Sequence, residues 1–114
     1  MNDKEELYDE AVDAYADEQY DRAIELYQRA LAIDPDYADA LHGMAMCYQA
    51  SGDLDSAIAV TRKYLEKHPE DILGYTNLSI FYQRKGMVPE AEAANAEARR
   101  LDWKRQLRTV TKPG

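Results

Sequence analysis

Two histidines, one cysteine and a run of carboxylates are the side chains whose types could do chemistry. His42 and His68 lie 26 residues apart. A helical zinc pair needs His-x3-His or His-Glu-x-x-His spacing, and neither occurs. Cys47 is the only cysteine, so it can build neither an internal disulfide nor a thiolate cage. It stands between Met46 and Tyr48 on a stretch with small neighbours. That is the setting of a packed core thiol rather than an activated nucleophile. The acidic run from Asp3 to Glu10 lacks the Asp-x-Asp-x-Asp-Gly pattern of a cation loop and reads as a solvated helix face. No Ser-His-Asp elbow, P-loop or glycine-rich dinucleotide turn is present. The residues point to no enzyme, no metal and no cofactor, which leaves surface recognition.

Composition narrows the partner. Apolar residues make up 46% of the 114-residue chain, with nine Tyr, enough for one domain with its own core. No apolar run approaches the roughly 18 residues of a membrane helix. The start, Met-Asn-Asp-Lys-Glu-Glu, has neither the basic segment nor the apolar run of a signal peptide. The expected location is cytoplasmic. Net charge is −8 and unevenly spread. Residues 1–57 carry 15 acidic and 3 basic side chains, a balance of −12; residues 58–114 carry 7 and 11, a balance of +4. The acidic total argues against nucleic acid, whose phosphates need clustered Lys and Arg. Arg99, Arg100, Lys104, Arg105, Arg108 and Lys112 do form a local basic patch. We read it as the solvated face of a terminal helix rather than a phosphate or lipid site.

The elements that position these residues repeat. Ala23, Ala57 and Ala91 are spaced by 34 residues, and other columns follow the same shift. They include Leu7, Leu41 and Tyr75; Ala11, Ala45 and Ser79; Gly52 and Gly86; Ala30, Tyr64 and Ala98; Pro35 and Pro69. Each period holds two helical stripes around a turn signal. In the middle period Leu41, Met44, Ala45 and Tyr48 share one helix face. Ser51-Gly52-Asp53 then breaks the pattern, with Gly52 suited to a helix end and Asp53 or Asp55 to a cap. Ala57, Ile58, Thr61, Tyr64 and Leu65 form the second stripe. Pro35 and Pro69 end successive pairs, and Pro89 suits a first helical turn. The expected helices are 4–17, 21–33, 38–51, 55–67, 72–85 and 89–101. Trp103, Leu107 and Val110, at spacings of 4 and 3, are expected to extend the last helix and cover the exposed end of the core. The closing Thr-Lys-Pro-Gly is expected to fray.

The period and its residues resemble the tetratricopeptide repeat family. Leu41-x2-Met44-Ala45-x2-Tyr48, then Gly52-Asp53-Leu54, Ala57, Tyr64 and Pro69, is similar to that family's pattern. The repeats are 4–37, 38–71 and 72–105, with a cap and tail over 101–114, in one domain over 1–114. Departures fall at Glu10, Glu18, Asn95 and Trp103. The resemblance implies an all-α solenoid, an α-α superhelix of three helix-turn-helix repeats with a C-terminal capping extension.

It also implies a concave groove lined by the first helix of each pair. Carried onto this chain, groove residues are Tyr8, Asp9, Val12, Tyr15 and Ala16; His42, Gly43, Met46, Gln49 and Ala50; and Leu73, Thr76, Asn77, Ile80, Gln83 and Arg84. Tyr8, Val12, Met46 and Ile80 would form an apolar strip, with Asp9 and Asp39 toward one end and Arg84 toward the other. The implied function is an adaptor binding a partner protein or peptide, basic or amphipathic in character. Relatives that clamp the acidic tails of heat-shock chaperones use Lys, Asn and Arg; the matching positions here are Tyr8, Val12, Gly43, Leu73 and Asn77. Only Asn77 is a suitable donor, so that role is not expected. The alternative is a self-assembling scaffold stacking its acidic N-terminal end on its basic C-terminal end.

Overall fold

The computed structural model describes residues 3–111. Among them are six α-helices and no strand: α1 (Lys4–Ala16), α2 (Tyr20–Ile33), α3 (Ala38–Ala50), α4 (Leu54–Lys67), α5 (Ile72–Arg84) and α6 (Val88–Thr111). The first helices begin at residues 4, 38 and 72, and the second at 20, 54 and 88, so both sets keep the 34-residue shift. None is long and apolar enough to cross a membrane.

Local chemistry sets the helix ends. Asp3 accepts from the Glu6 amide, Asp53 from the Ser56 amide, and Asp71 from the Leu73 and Gly74 amides. Each satisfies amides that the first turn leaves free. The first helices end in one repeated turn. Gln19 N–H donates to Ala14 O, Asp53 N–H to Tyr48 O and Met87 N–H to Tyr82 O, at 2.8–2.9 Å. This turn needs a residue of positive φ. Gly52 (φ 87) and Gly86 (φ 78) supply it, and Glu18 (φ 61) occupies the same position in the first pair. The departure at Glu18 is therefore a change of residue without a change of backbone.

Packing follows three registers on the first helices. Leu7, Ala11 and Ala14 of α1, with their 34-residue counterparts Leu41, Ala45 and Tyr48 of α3 and Tyr75, Ser79 and Tyr82 of α5, pack within the solenoid, Tyr48 and Tyr75 only partly buried. One position earlier, α3 carries Ala40, Met44 and Cys47, and α5 carries Gly74, Leu78 and Phe81, all buried. At successive positions a helix turns about 100°, so this row faces sideways, toward the preceding pair. Gly74 shows how close the approach is: a Cβ there would lie 2.7 Å from Leu65 Cδ2 of α4. In α1 the same row is Glu6, Glu10 and Asp13, all exposed. Glu10 departs from an apolar pattern because no described helix lies against it.

The last pair mirrors this. Ile24, Tyr27 and Leu31 of α2, and Ile58, Thr61 and Leu65 of α4, are buried or half-buried. Their counterparts on α6 are Glu92, Asn95 and Arg99, all exposed. The departure at Asn95 has the same cause as that at Glu10. Small side chains hold the crossings: Ala23 and Ala57 are fully buried and Ala91 nearly so. Ser79, the polar member of its alanine column, is satisfied by donating to Ala91 O at 2.9 Å.

As expected from Trp103, Leu107 and Val110, the last helix runs on beyond residue 101, to Thr111. With Trp103 in place of a closing proline, nothing interrupts it. The extension does not cover the core, which corrects the expectation. Trp103 is 61% exposed, Leu107 43% and Val110 80%. The reason is helical phase. Each lies nine residues, or two and a half turns, beyond a buried residue: Ala94, Ala98 and Leu101 respectively. The stripe therefore points away from the core, and Leu101 is the last buried residue described on α6. Lys104 and Arg108 are exposed but reach Glu70, at 3.2 and 3.9 Å. Of the closing Thr-Lys-Pro-Gly, only Thr111 lies within the described residues.

Candidate peptide-binding groove

The third register is the position following each core residue. On α1 it holds Tyr8, Val12 and Tyr15; on α3, His42, Met46 and Gln49; on α5, Thr76, Ile80 and Gln83. None of the nine is buried. They face about 100° from the core and on the opposite side from the row that joins neighbouring pairs. This leaves apolar side chains in water. Val12 is 39% exposed, Tyr15 38% and Ile80 41%, and Leu73, one turn before Thr76 and Asn77, is 56% exposed. Met46 and Tyr8 are half-buried and pack against the two halves of the core.

Aromatic rings organise the N-terminal part of this face. Tyr8 sits between Tyr27 and Tyr37, with ring centroids 5.8 and 5.7 Å away. Tyr15 packs on Tyr20 at 5.6 Å. Such tilted pairs fix ring orientation. Lys4 Nζ lies 4.9 Å from the Tyr37 ring and bonds Asp34 at 2.7 Å, tying α1 to the end of α2. Burial raises the Tyr8 phenol above its ordinary pKa, and the nearby carboxylates of Asp39 and Asp9 raise it further. Burial, then Glu5 and Asp39, raise Tyr37 as well. Three carboxylates thus act on the two rings. Lys4 opposes them at Tyr37, leaving more negative than positive charge around the two rings.

The remaining expected residues fall as follows. Asp9 and Arg84 are exposed at opposite ends of the chain of first helices, and Asn77 is half-buried. Ala16 and Ala50 are exposed at the C-terminal ends of α1 and α3. The Thr76 hydroxyl donates to Ile72 O at 3.0 Å. Gln83 also lines a shallow cleft with Pro89, Glu92, Ala93, Asn95, Ala96 and Arg99 of α6. Gly43 makes a close approach: a Cβ there would lie 2.4 Å from Tyr27 Cζ, so its role is to admit the Tyr27 ring against α3. Sequence reading missed Tyr37 and Glu5. Tyr37 precedes α3 at the position where Asp3 and Asp71 cap α1 and α5, and an aromatic at a cap position was the available signal.

Cys47 is buried in the joining row. Burial pushes its thiol up to about 11, so it stays protonated near neutral pH. His42 and His68 remain apart on α3 and after α4, with His68 stacked on Tyr64 at 4.6 Å. Among the described residues no group of three or more His, Cys, Asp or Glu could hold a metal ion.

Comparison with known proteins gives a consistent answer. The model of the tetratricopeptide repeat family matches residues 14–78. The photosystem I assembly protein Ycf3 of Synechococcus sp. (strain WH7803) is 27% identical over 94 residues, covering 80% of this chain and 54% of that protein. The general transcriptional corepressor ssn6 of Schizosaccharomyces pombe is 33% identical over 87 residues, 75% of this chain and 8% of the corepressor. The chain thus spans about half the length of the Ycf3 relatives it matches. The crystal structure of MamA superposes with a TM-score of 0.87 at 27% identity, covering 91% of this chain and 61% of that one. With three helix pairs in one 34-residue register and a family match across more than half its length, the chain belongs to the tetratricopeptide repeat family.

Proposed function

We propose that this chain is a protein-interaction module whose concave groove takes an amphipathic segment of a partner, with a basic side. The observation that carries this reading is the exposed register on α1, α3 and α5. Core burial does not require Val12 or Ile80 to be apolar, since both are exposed; Met46 between them is half-buried and packs partly on the core. Three helices side by side nevertheless keep an apolar residue at that place. Exposed apolar residues held in a row on rigid helices can anchor a partner, while the carboxylates of Glu5, Asp9 and Asp39 select for positive charge. A helix presenting apolar anchors at i, i+3 or i+4 and i+7 spans about 10 Å, enough to bridge two neighbouring helices of the row. The name of Ycf3 as an assembly protein agrees with a role in bringing proteins together.

The test is selection of peptides from a displayed random library on the immobilised chain, followed by calorimetric titration of the peptides recovered. The wild type is expected to enrich amphipathic basic peptides. The variant Tyr8→Ala/Met46→Ala/Ile80→Ala, checked for folding by circular dichroism, is expected to lose at least about tenfold in affinity. Equal binding by the folded triple variant would place recognition elsewhere.

A further inference from the structure

The exposed apolar side chains fall mainly on two surfaces. Val12, Tyr15, Leu73 and Ile80 are on the groove helices, and Trp103, Leu107 and Val110 are on the α6 extension. The two surfaces are complementary in charge as well. Helix α1 carries five acidic residues and Lys4, a balance of −4; residues 99–111 carry five basic residues and Asp102, a balance of +4. Asp102 is engaged by Arg105 at 2.6 Å, and Glu97 by Arg100 at 2.5 Å. Arg99 shares the outward side of the helix with Trp103 and Val110.

We propose that the stripe Trp103–Leu107–Val110 of α6 docks in the concave groove of a second copy of this chain. This rests on the groove reading above and names one occupant for it. The stripe has the i, i+4, i+7 form that a groove of helices accepts. It extends about 10 Å along the axis, and three helices spaced about 10 Å apart offer a groove about 20 Å wide. Its apolar residues meet Val12 and Met46 on neighbouring helices, and its basic flank meets Asp9 and Asp39. The stripe cannot reach its own groove, because α6 is unbroken from Val88 to Thr111 and presents it away from the core. End-on stacking is a poorer arrangement of the same charges. It would bury Glu6, Glu10 and Asp13 against Glu92, Asn95 and Arg99, with no apolar surface to gain and Glu92 repelled.

Two surface variants separate the partners. Trp103→Ser/Leu107→Ser removes the stripe and leaves the groove; Val12→Ser/Ile80→Ser removes the groove and leaves the stripe. All four positions are exposed, and circular dichroism checks each fold. Sedimentation velocity over micromolar to millimolar protein, in low and high salt, reads the association. The wild type is expected to associate reversibly, at least about tenfold more tightly than either variant alone, and more weakly in high salt. The two variants mixed are expected to form a complex that neither forms alone, since one supplies the groove and the other the stripe. A wild type monomeric throughout overturns the proposal, as does a stripe variant that associates like the wild type. A groove variant that associates like the wild type overturns it too, pointing to stripe-on-stripe contact. The groove reading itself is tested separately: a monomeric chain that still selects basic peptides keeps the groove and loses only this occupant.

Discussion

Glu18 shows how a single residue can depart from a pattern while the backbone keeps it. It holds φ 61 in a turn where Gly52 and Gly86 hold φ 87 and 78. A side chain in that region costs roughly 1–2 kcal/mol, a strain glycine escapes. Glu18→Gly is therefore expected to stabilise the chain by up to about 1 kcal/mol, and Gly86→Ala to destabilise it by about as much. Added bulk is not the cause at Gly86, where a Cβ would meet nothing within 4 Å. Urea unfolding of the two variants checks both signs. Cys47 makes a second prediction at this scale. Burial raises its thiol from 9.0 to about 11, so the neutral thiol favours the fold below the ordinary thiol range. That contribution fades as pH rises through the raised value. Iodoacetamide is expected to alkylate the folded chain slowly through the ordinary thiol range and the urea-unfolded chain quickly. Equal rates would show the thiol accessible.

At the scale of elements, the crossings and the caps decide stability. Ala57 is fully buried between helices, so Ala57→Leu is expected to cost about 1–3 kcal/mol by overpacking, read as a lower midpoint of denaturation. Asp53 caps α4, and its bonds to the Ser56 hydroxyl and amide hold the carboxyl below its ordinary range. A depressed folded pKa gives stability that is present above the ordinary carboxylate range and lost as pH falls through the folded value. Asp53→Ala is expected to be less stable than wild type at neutral pH and to converge with it in acid, which paired thermal melts would show. Much of this layer was legible in the sequence. The alanine columns, turn glycines and prolines placed all six helices, because each signal acts locally. Proline marked the ends of α2 and α4, and Trp103 in the corresponding place signalled that α6 runs on. The direction of the α6 stripe was missed because spacings of 4 and 3 define a face without its phase against the core. Counting nine residues back to Ala94, Ala98 and Leu101 supplies that phase.

For the whole molecule, one rule organises the surface: the position after each core residue on α1, α3 and α5 stays open. The position before joins neighbouring pairs and turns acidic at Glu6, Glu10 and Asp13, against which no described helix packs. The open face was legible in part. Family resemblance reached Tyr8, Val12, Met46 and Ile80, but the tilted rings of Tyr27 and Tyr37 around Tyr8 join residues distant in sequence and needed the folded arrangement. Acidic character at one end of this face comes from Glu5, Asp9 and Asp39, on two different helices brought together by packing. The most direct test of the central claim is backbone amide NMR of the wild-type chain, titrated with an amphipathic basic peptide from the library selection. The account predicts shift changes concentrated at Tyr8, Val12, Met46 and Ile80, on the helices α1, α3 and α5. Changes confined to the outer faces of α2 and α4, with those four amides unmoved, would contradict it.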